Sequence, residues 1–338
     1  MKKPPFTISL FILITLITQA QIVNIPDINF KKALMGQGVD KNKDGKIQIN
    51  EATLIKDLEI NSDSISDLTG IDAFTNLQKL SCNSNQLTIL DISMNTALTF
   101  LDCSFNQLTE IDISKNTLLT YFFCHQNQIS ALDISNNIAL TILLCQENSI
   151  TSLDVSKNIY LNDLDFEGNR CTVIDVSNNI ALTELNCRRN KLKELNVSRN
   201  TALKTLSFHY NRLSTIDLSK NTALTVLDCS ANQLTSIDLS KNTALTELNC
   251  CCNQITALDL SKNTALNNLF CPENQLTSLD ISKNIALTDF HCTENPGLKK
   301  ICINANQAKL ANVNSDNWKT DPDNWAKDPT AEWSVDCK

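Results

Sequence analysis

A period of 21 residues runs through most of the chain and restricts its fold more than any other feature. The segment 101–120 reads LDCSFNQLTEIDISKNTLLT, and the segment 227–246 reads LDCSANQLTSIDLSKNTALT. Self-similarity at a fixed period of this size is typical of repeat proteins, in which each repeat buries its apolar face against its neighbours. We therefore predict a solenoid of about twelve turns rather than a mixed globular core.

The repeats align on one apolar position, here called the ladder position, and on an asparagine three residues after it. The ladder position is held by Cys82, Cys103, Cys124, Cys145, Phe166, Cys187, Phe208, Cys229, Cys250, Cys271 and Cys292. The asparagine is held by Asn85, Asn106, Asn127, Asn148, Asn169, Asn190, Asn211, Asn232, Asn253, Asn274 and Asn295. The resulting motif, LxxLxCxxNxL, is the leucine-rich-repeat signature.

Each part of this motif predicts local structure. The Leu-x-Cys alternation indicates a short strand with its apolar side chains inward, and the asparagine amide can pair with backbone groups at the following turn. In the other half of the repeat, the alternation of Leu90 and Ile92 predicts a second short extended segment, and a second asparagine column runs from Asn95 to Asn284. We expect a leucine-rich-repeat solenoid, a curved parallel-strand horseshoe that is mostly β with little convex helix.

The cysteine-bearing repeats resemble those of internalin-type bacterial surface proteins, from residue 55 to about residue 298. This resemblance implies a secreted or surface-attached protein that binds other macromolecules. Residues 1–20 fit that expectation as a secretory signal, because Lys2 and Lys3 precede an apolar stretch and a small-x-small cleavage site. We expect an exported protein that is secreted, periplasmic or associated with the cell surface, with no transmembrane segment after signal removal.

Both ends of the array depart from the period and are predicted to be caps, over residues 21–54 and 299–338. In the first cap, a short helix from Asp27 to Met35 is expected to enter the segment 40–51, which matches the calcium-loop pattern of an EF-hand. Asp40, Asn42, Asp44 and Glu51 would bind one structural Ca²⁺ through their side chains, and Lys46 through its carbonyl. The alternative is a turn rich in Asp, Asn and Gly that holds no metal.

The C-terminal cap contains all three tryptophans, Trp318, Trp325 and Trp333. We expect them to cover the last rung, the alternative being a carbohydrate-binding platform. Among the 14 cysteines, the ladder cysteines interchange with phenylalanine and are predicted to pack as buried apolar groups. Cys302 and Cys337 bracket the cap and are predicted to form a disulfide, whereas Cys251 and Cys252 flank the ladder and are expected to be more exposed, their reactivity left open.

Neither charge nor motifs indicate nucleic-acid binding or catalysis. The net charge is −8, and no basic block occurs. No phosphate loop, nucleophile elbow or zinc-protease motif is found. The three histidines, His125, His209 and His291, lie rungs apart, so we expect no shared metal ion or triad and no enzyme.

Specificity is expected at the outward positions beside the ladder, which vary while the frame repeats. The predicted partner-binding residues form an apolar and aromatic cluster followed by charged residues: Phe100, Phe105, Tyr121, Phe123, His125, Ile142, Leu144, Asp165, Glu167 and Arg188. The expected partner is a protein or glycan outside the cell. A cluster that packs against itself, and a structural or adhesive element that self-associates, are the alternatives; the oligomeric state is open.

Overall fold

The computed structural model describes residues 21–313 and 325–335. Within these residues, thirteen parallel strands stack in chain order in one sheet. Consecutive central strands pair in register at the repeat period, so that Phe100 faces Tyr121 and Tyr121 faces Ile142. The strands of this sheet are β1 (Asp57–Glu59), β2 (Lys79–Ser81), β3 (Phe100–Asp102), β4 (Tyr121–Phe123), β5 (Ile142–Leu144), β6 (Asp163–Asp165), β7 (Glu184–Asn186), β8 (Thr205–Ser207), β9 (Val226–Asp228), β10 (Glu247–Asn249), β11 (Asn268–Phe270), β13 (Asp289–Cys292) and β15 (Ala326–Lys327). The parallel-strand solenoid predicted from the sequence is thereby confirmed.

The core is a stack of leucine and ladder side chains that are closed to solvent. Every ladder residue, phenylalanine or cysteine, has 0% exposure. The ladder cysteines are free thiols, and burial raises their pKa well above the usual range, as for Cys103 and Cys124. They act as small apolar groups, which explains why Phe166 and Phe208 can replace them.

Two asparagine columns tie successive turns together. Asn106 Nδ2 donates to the carbonyls of Cys82 and Cys103, and its Oδ1 accepts from the amide of Leu87. In the second column, Asn179 Nδ2 donates to the carbonyls of Val155 and Asn158 at 3.0 and 2.8 Å. Each of these asparagine side chains therefore hydrogen-bonds to backbone groups in two turns of the solenoid.

The second extended segment predicted in every repeat does not pair as a strand in most of the described repeats. Away from the sheet, the described repeats consist mostly of turns and unpaired backbone; a strand of this kind is found at β12 (Ser278–Asp280), which Asp259 of the preceding repeat joins through a single bridge. Backbone groups in this half of the repeat make hydrogen bonds to other partners. Ile92 O accepts both Asn95 N and Asn116 Nδ2, and Asp91 Oδ1 accepts the amide of Ser93. Leu90 and Ile92 are nevertheless both buried, so their alternation reports burial without strand pairing.

The N-terminal cap begins with helix α1 (Ile28–Gly36), close to the helix expected there, and continues to α2 (Ile49–Ala52); a single turn of 3₁₀ helix follows at Ile71–Ala73. Asp27 joins the cap to the first repeat. Its Oδ1 accepts from two amides at the start of α1, and its Oδ2 accepts from the amide and hydroxyl of Ser66.

The C-terminal cap contains α3 (Ala305–Val313) and adds β14 (Lys300–Cys302) and β16 (Glu332–Ser334) to β12 in a three-stranded sheet. Trp325 is buried, its ring centroid lies 5.4 Å from that of Phe290, and Trp333 lies 6.0 Å from the same ring. These two rings cover the last rung. Cys302 is disulfide-bonded. Its predicted partner Cys337, together with Trp318 and the signal segment 1–20, lies outside the described residues.

Candidate functional site

The concave face of the sheet is built from three side-chain columns. The first and third residues of each strand point away from the core, and the residue after the ladder position continues this surface. The next residue adopts a left-handed backbone conformation in successive repeats, with φ of 51° at Phe105, 56° at Tyr210 and 66° at Gly168. This turn brings its side chain to the edge of the concave face.

The predicted aromatic cluster is assembled across β3, β4 and β5. The ring of Phe100 lies 5.3 Å from Phe123, edge to face, and 6.2 Å from Tyr121. The Phe105 and His125 rings meet at 5.1 Å, also edge to face. Ile142 and Leu144 continue the surface in the next strand. The cluster packs partly against itself, yet leaves 42% of Tyr121 and 51% of Phe105 exposed.

Two carboxylates extend the same row of side chains beyond Ile142. Asp163 and Glu184 are direct cross-strand neighbours. Within the described part of the chain, neither carboxylate has an ion-pair or side-chain hydrogen-bond partner. Burial raises the pKa of Asp163 to about 6, with further contributions from Glu184 and Asp165. Like charges directly opposite each other destabilise a sheet, so this pair is an electrostatic cost of the fold.

The neighbouring acidic residues are held by hydrogen bonds. Asn186 Nδ2 donates to Asp165 Oδ2 and to Glu167 Oε2, each at 3.1 Å, and Asp165 Oδ1 accepts the amide of Glu167. Burial raises the pKa of Asp165, and these hydrogen bonds oppose the rise. Asp165 and Glu167 therefore present a fixed acidic edge next to the aromatic cluster.

Arg188 does not pair with that acidic edge. Its Nη2 lies 2.6 Å from Asp228 Oδ2, two strands further along. Asp228 Oδ1 also accepts the hydroxyl of Ser230, which contacts His209 Nδ1 at 2.5 Å. Burial lowers the pKa of His209, despite Asp228 nearby. The sequence interpretation missed Asn186, Asp228 and Ser230, although all occupy the same outward columns two repeats or fewer from the residues that it selected.

The histidines stay apart, as their spacing predicts. His125 contacts Phe105, His209 contacts Ser230, and His291 stacks on Phe270 at 5.1 Å. Among the described residues, no group of three or more His, Cys, Asp or Glu side chains is arranged to hold a metal ion. No helix in the described ranges is both long and apolar enough to cross a membrane.

The predicted calcium loop is closed by its own hydrogen bonds. Asp40 accepts the amides of Lys43 and Gly45, and Asp44 Oδ1 accepts the amide of Lys46. Glu51 Oε1 accepts the amides of Lys41 and Asn42, and its Oε2 accepts the amide of Gln48 in a capping box at α2. The proposed ligands thus share one loop, but their oxygens face backbone amides. The calcium site stays a prediction.

The protein-family model described as "Leucine Rich repeats (2 copies)" matches residues 201–242 and 222–268. Comparison with solved structures finds the functional domain of InlJ from Listeria monocytogenes, described as including a cysteine ladder, at 36% identity and a TM-score of 0.77. The match covers 83% of this chain and 64% of that chain, so this chain spans less than two thirds of the InlJ structure.

Two further solved structures share the fold at lower identity. The internalin InlF from Listeria monocytogenes is 20% identical over 96% of this chain and 100% of that chain, with a TM-score of 0.67. A leucine-rich-repeat protein from Leptospira interrogans is 21% identical over 76% of this chain and 74% of that chain, with a TM-score of 0.66. No match was found among curated proteins. The InlJ domain is described as including a cysteine ladder, a feature that this chain also has, and the other two structures show the fold alone.

Proposed function

We propose that this chain, a leucine-rich-repeat solenoid with a cysteine ladder like that of InlJ, binds a macromolecular partner through its concave face. The partner is a protein or a glycan outside the cell, since residues 1–20 read as an export signal. The concave aromatic cluster would bind the apolar part of the partner, and the acidic edge would set its orientation.

The observation that carries this proposal is the partly exposed aromatic cluster on a rigid sheet. Tyr121 and Phe105 are large apolar side chains left accessible beside half-buried Phe100 and Phe123. Strand pairing and core packing position the backbone beneath them, so little conformational entropy is lost when a partner docks. Exposed aromatic residues in such a setting are enriched among the residues that dominate binding energy.

We further propose that the N-terminal cap holds one structural Ca²⁺ through Asp40, Asn42, Asp44 and Glu51, with the carbonyl of Lys46. Carboxylate, amide and carbonyl oxygens are the ligands that this ion prefers. The ion would fasten the loop beside α2 and so secure the cap on the first repeat. It would have no part in partner recognition, because the loop lies at the end of the solenoid, away from β3, β4 and β5.

The test of partner binding is a comparison of three baits made from residues 21–338. The first is unchanged, and the second carries Tyr121→Ala, Phe123→Ala and Leu144→Ala. The third is a matched control with Ile138→Ala, Ile159→Ala and Ile180→Ala, which removes exposed apolar side chains from three consecutive repeats outside the sheet. Partners captured from the medium of the source cells are identified and their affinities for each bait measured.

A partner bound by the unchanged and control baits, and at least tenfold more weakly by the concave variant, would support the proposal. Equal binding to all three baits would move recognition to the loops or caps. A bait that captures only copies of itself, with a mass that rises with concentration in sedimentation, would instead favour a self-associating structural element. Circular dichroism of each variant confirms that the fold is retained.

A further inference from the structure

Two adjacent cysteines lie on the concave face of the sheet. Cys251 and Cys252 follow the ladder residue Cys250, and their Sγ atoms lie 3.3 Å apart. Of the twelve free cysteines among the described residues, ten are buried, and these two are partly exposed. They occupy the surface columns in which other repeats place His125, Arg188 and Tyr210. Packing against the core therefore does not account for them.

We propose that Cys251 and Cys252 are a vicinal dithiol that closes to a disulfide by exchange with a disulfide oxidant. The backbone already brings the sulfurs together. Cys252 has a φ of 56°, and its amide donates to the carbonyl of Pro272 in the next repeat. Closing the bond from 3.3 Å to about 2 Å requires a local movement of about 1.3 Å.

The geometry assigns different roles to the two sulfurs. The Cys252 thiol donates to Cys251 Sγ, so Cys251 is the sulfur whose thiolate is stabilised. Burial still raises the pKa of Cys251, although the hydrogen bond from Cys252 opposes the rise. Burial raises the pKa of Cys252 to about 12. Cys251 is thus the attacking sulfur, Cys252 resolves the intermediate, and the first step becomes faster as pH rises.

The exchange balances with one oxidant molecule. The Cys251 thiolate attacks a sulfur of a small disulfide, RSSR, which forms a mixed disulfide and releases one RS⁻. Cys252 then loses its proton and attacks Cys251 Sγ, releasing the second RS⁻. Two cysteine thiols are oxidised to one disulfide, and RSSR is reduced to two thiols. The ladder thiols take no part because no reagent reaches them.

The disulfide would be a labile one. Neighbouring Cα atoms are about 3.8 Å apart across a trans peptide, whereas unstrained disulfides span about 4.4–6.8 Å between Cα atoms. Strained disulfides are readily reduced and belong to the regulatory kind rather than the structural kind. The bond would replace two thiols on the concave face near β10 and β11, so the surface there would change with redox state. This inference does not depend on the proposed partner.

The test uses the full chain, reduced and desalted, with 5,5′-dithiobis(2-nitrobenzoate) at pH 8. The unchanged protein should release two thionitrobenzoate anions from this pair and keep no adduct, with Cys251 and Cys252 then resistant to iodoacetamide. Cys252→Ser should release half as much and retain an adduct on Cys251, the attacking sulfur. The double variant Cys251→Ser/Cys252→Ser gives the background from every other cysteine. Peptide mapping should show a 251–252 peptide lighter by two hydrogens, restored by a reductant.

Three results would each overturn the proposal. One is a stable adduct on either sulfur of the unchanged protein. Another is separate alkylation of both sulfurs after oxidation. The third is no release above the double-variant background. The serine variants change partly exposed positions, and circular dichroism identifies any variant that fails to fold.

Discussion

Gln307 takes, in the C-terminal cap, the place that the next asparagine after Asn284 would take. Its Nε2 donates to the carbonyls of Ile281 and Asn284, each at 3.0 Å. Asn284 donates in the same way to the carbonyls of Leu260 and Asn263, at 3.1 and 2.8 Å. The hydrogen-bond column therefore continues one step beyond the repeats, because each of these carbonyls, which already accepts a backbone amide, has a second lone pair that can accept a donor.

The same reasoning predicts a large difference between two adjacent asparagines in the middle of the array. Asn179→Ala removes one of the two donors to each of two buried carbonyls, which keep the amides of Asn158 and Leu161, so we expect it to lower the free energy of unfolding by about 1–3 kcal/mol. Asn178 is exposed, and its Nδ2 donates to the carbonyl of Ser156 at 3.3 Å. Asn178→Ala is expected to change stability by less than about 0.5 kcal/mol. Urea unfolding of both variants checks this, and equal losses would show that the buried amide is not needed.

Because the ladder positions are buried among apolar side chains, we expect a polar substitution there to reduce stability more than an apolar substitution of different shape. Cys145 is fully buried. Cys145→Ser places a hydroxyl in an apolar stack and is expected to cost about 1–3 kcal/mol. Cys145→Val keeps the site apolar and is expected to cost less than about 1.5 kcal/mol. Thermal and urea unfolding of the two variants give the comparison. If valine were the more damaging substitution, a specific role for sulfur would replace the packing interpretation.

The sequence predicted those features that a single repeat determines. The burial of the ladder, the two asparagine columns and the strand register all follow from a pattern that recurs every 21 residues. The lack of strand pairing in the second segment could not be predicted, because Leu90 and Ile92 can both be buried whether or not their backbone pairs with a neighbour. Alternation reports burial, while pairing depends on where the carbonyls find donors, and in this half of the repeat the donors are asparagine side chains.

The position of the candidate site could be predicted from the sequence, but the ion pairs within it were harder to predict. The columns beside the ladder place Phe100, Tyr121 and Phe123 together, as the register requires. The partner of Arg188 could not be read from spacing, because its long side chain reaches two rungs forward to Asp228 and not one rung back to Asp165 or Glu167. Which carboxylate it reaches is decided by side-chain conformation and burial rather than by periodicity.

If the N-terminal cap binds calcium, a chelator should lower the stability of the folded chain. A ligand that binds the folded chain alone stabilises it by about 2.7 kcal/mol at a hundredfold excess over its Kd. Chelation should therefore lower the thermal midpoint of residues 21–338, and Asp44→Ala should abolish the difference. Asp57→Asn, at an exposed position in β1, is the matched control and should retain it. A midpoint that is unaffected by chelator and by added calcium would mean that hydrogen bonds alone close the loop.

The unpaired carboxylates of the concave face predict a pH-dependent gain in stability when one is removed. The pKa of Asp163 is raised to about 6 in the folded chain, against a usual value of 3.8. Between these values the folded chain holds a proton that the unfolded chain has lost, so its stability falls as pH rises. The full penalty is present above pH 6.

Asp163→Asn should therefore raise the thermal midpoint at pH 8, with a gain that shrinks as the pH is lowered to 4. Glu247→Gln is the matched control, since Glu247 lies in the same column between the uncharged Val226 and Asn268. Its effect should not vary in this way. A gain from Asp163→Asn that is equal at pH 8 and pH 4 would trace the effect to packing rather than charge. A pH-dependent gain would show that the fold tolerates a half-buried carboxylate without an ion-pair partner directly beside its exposed aromatic cluster.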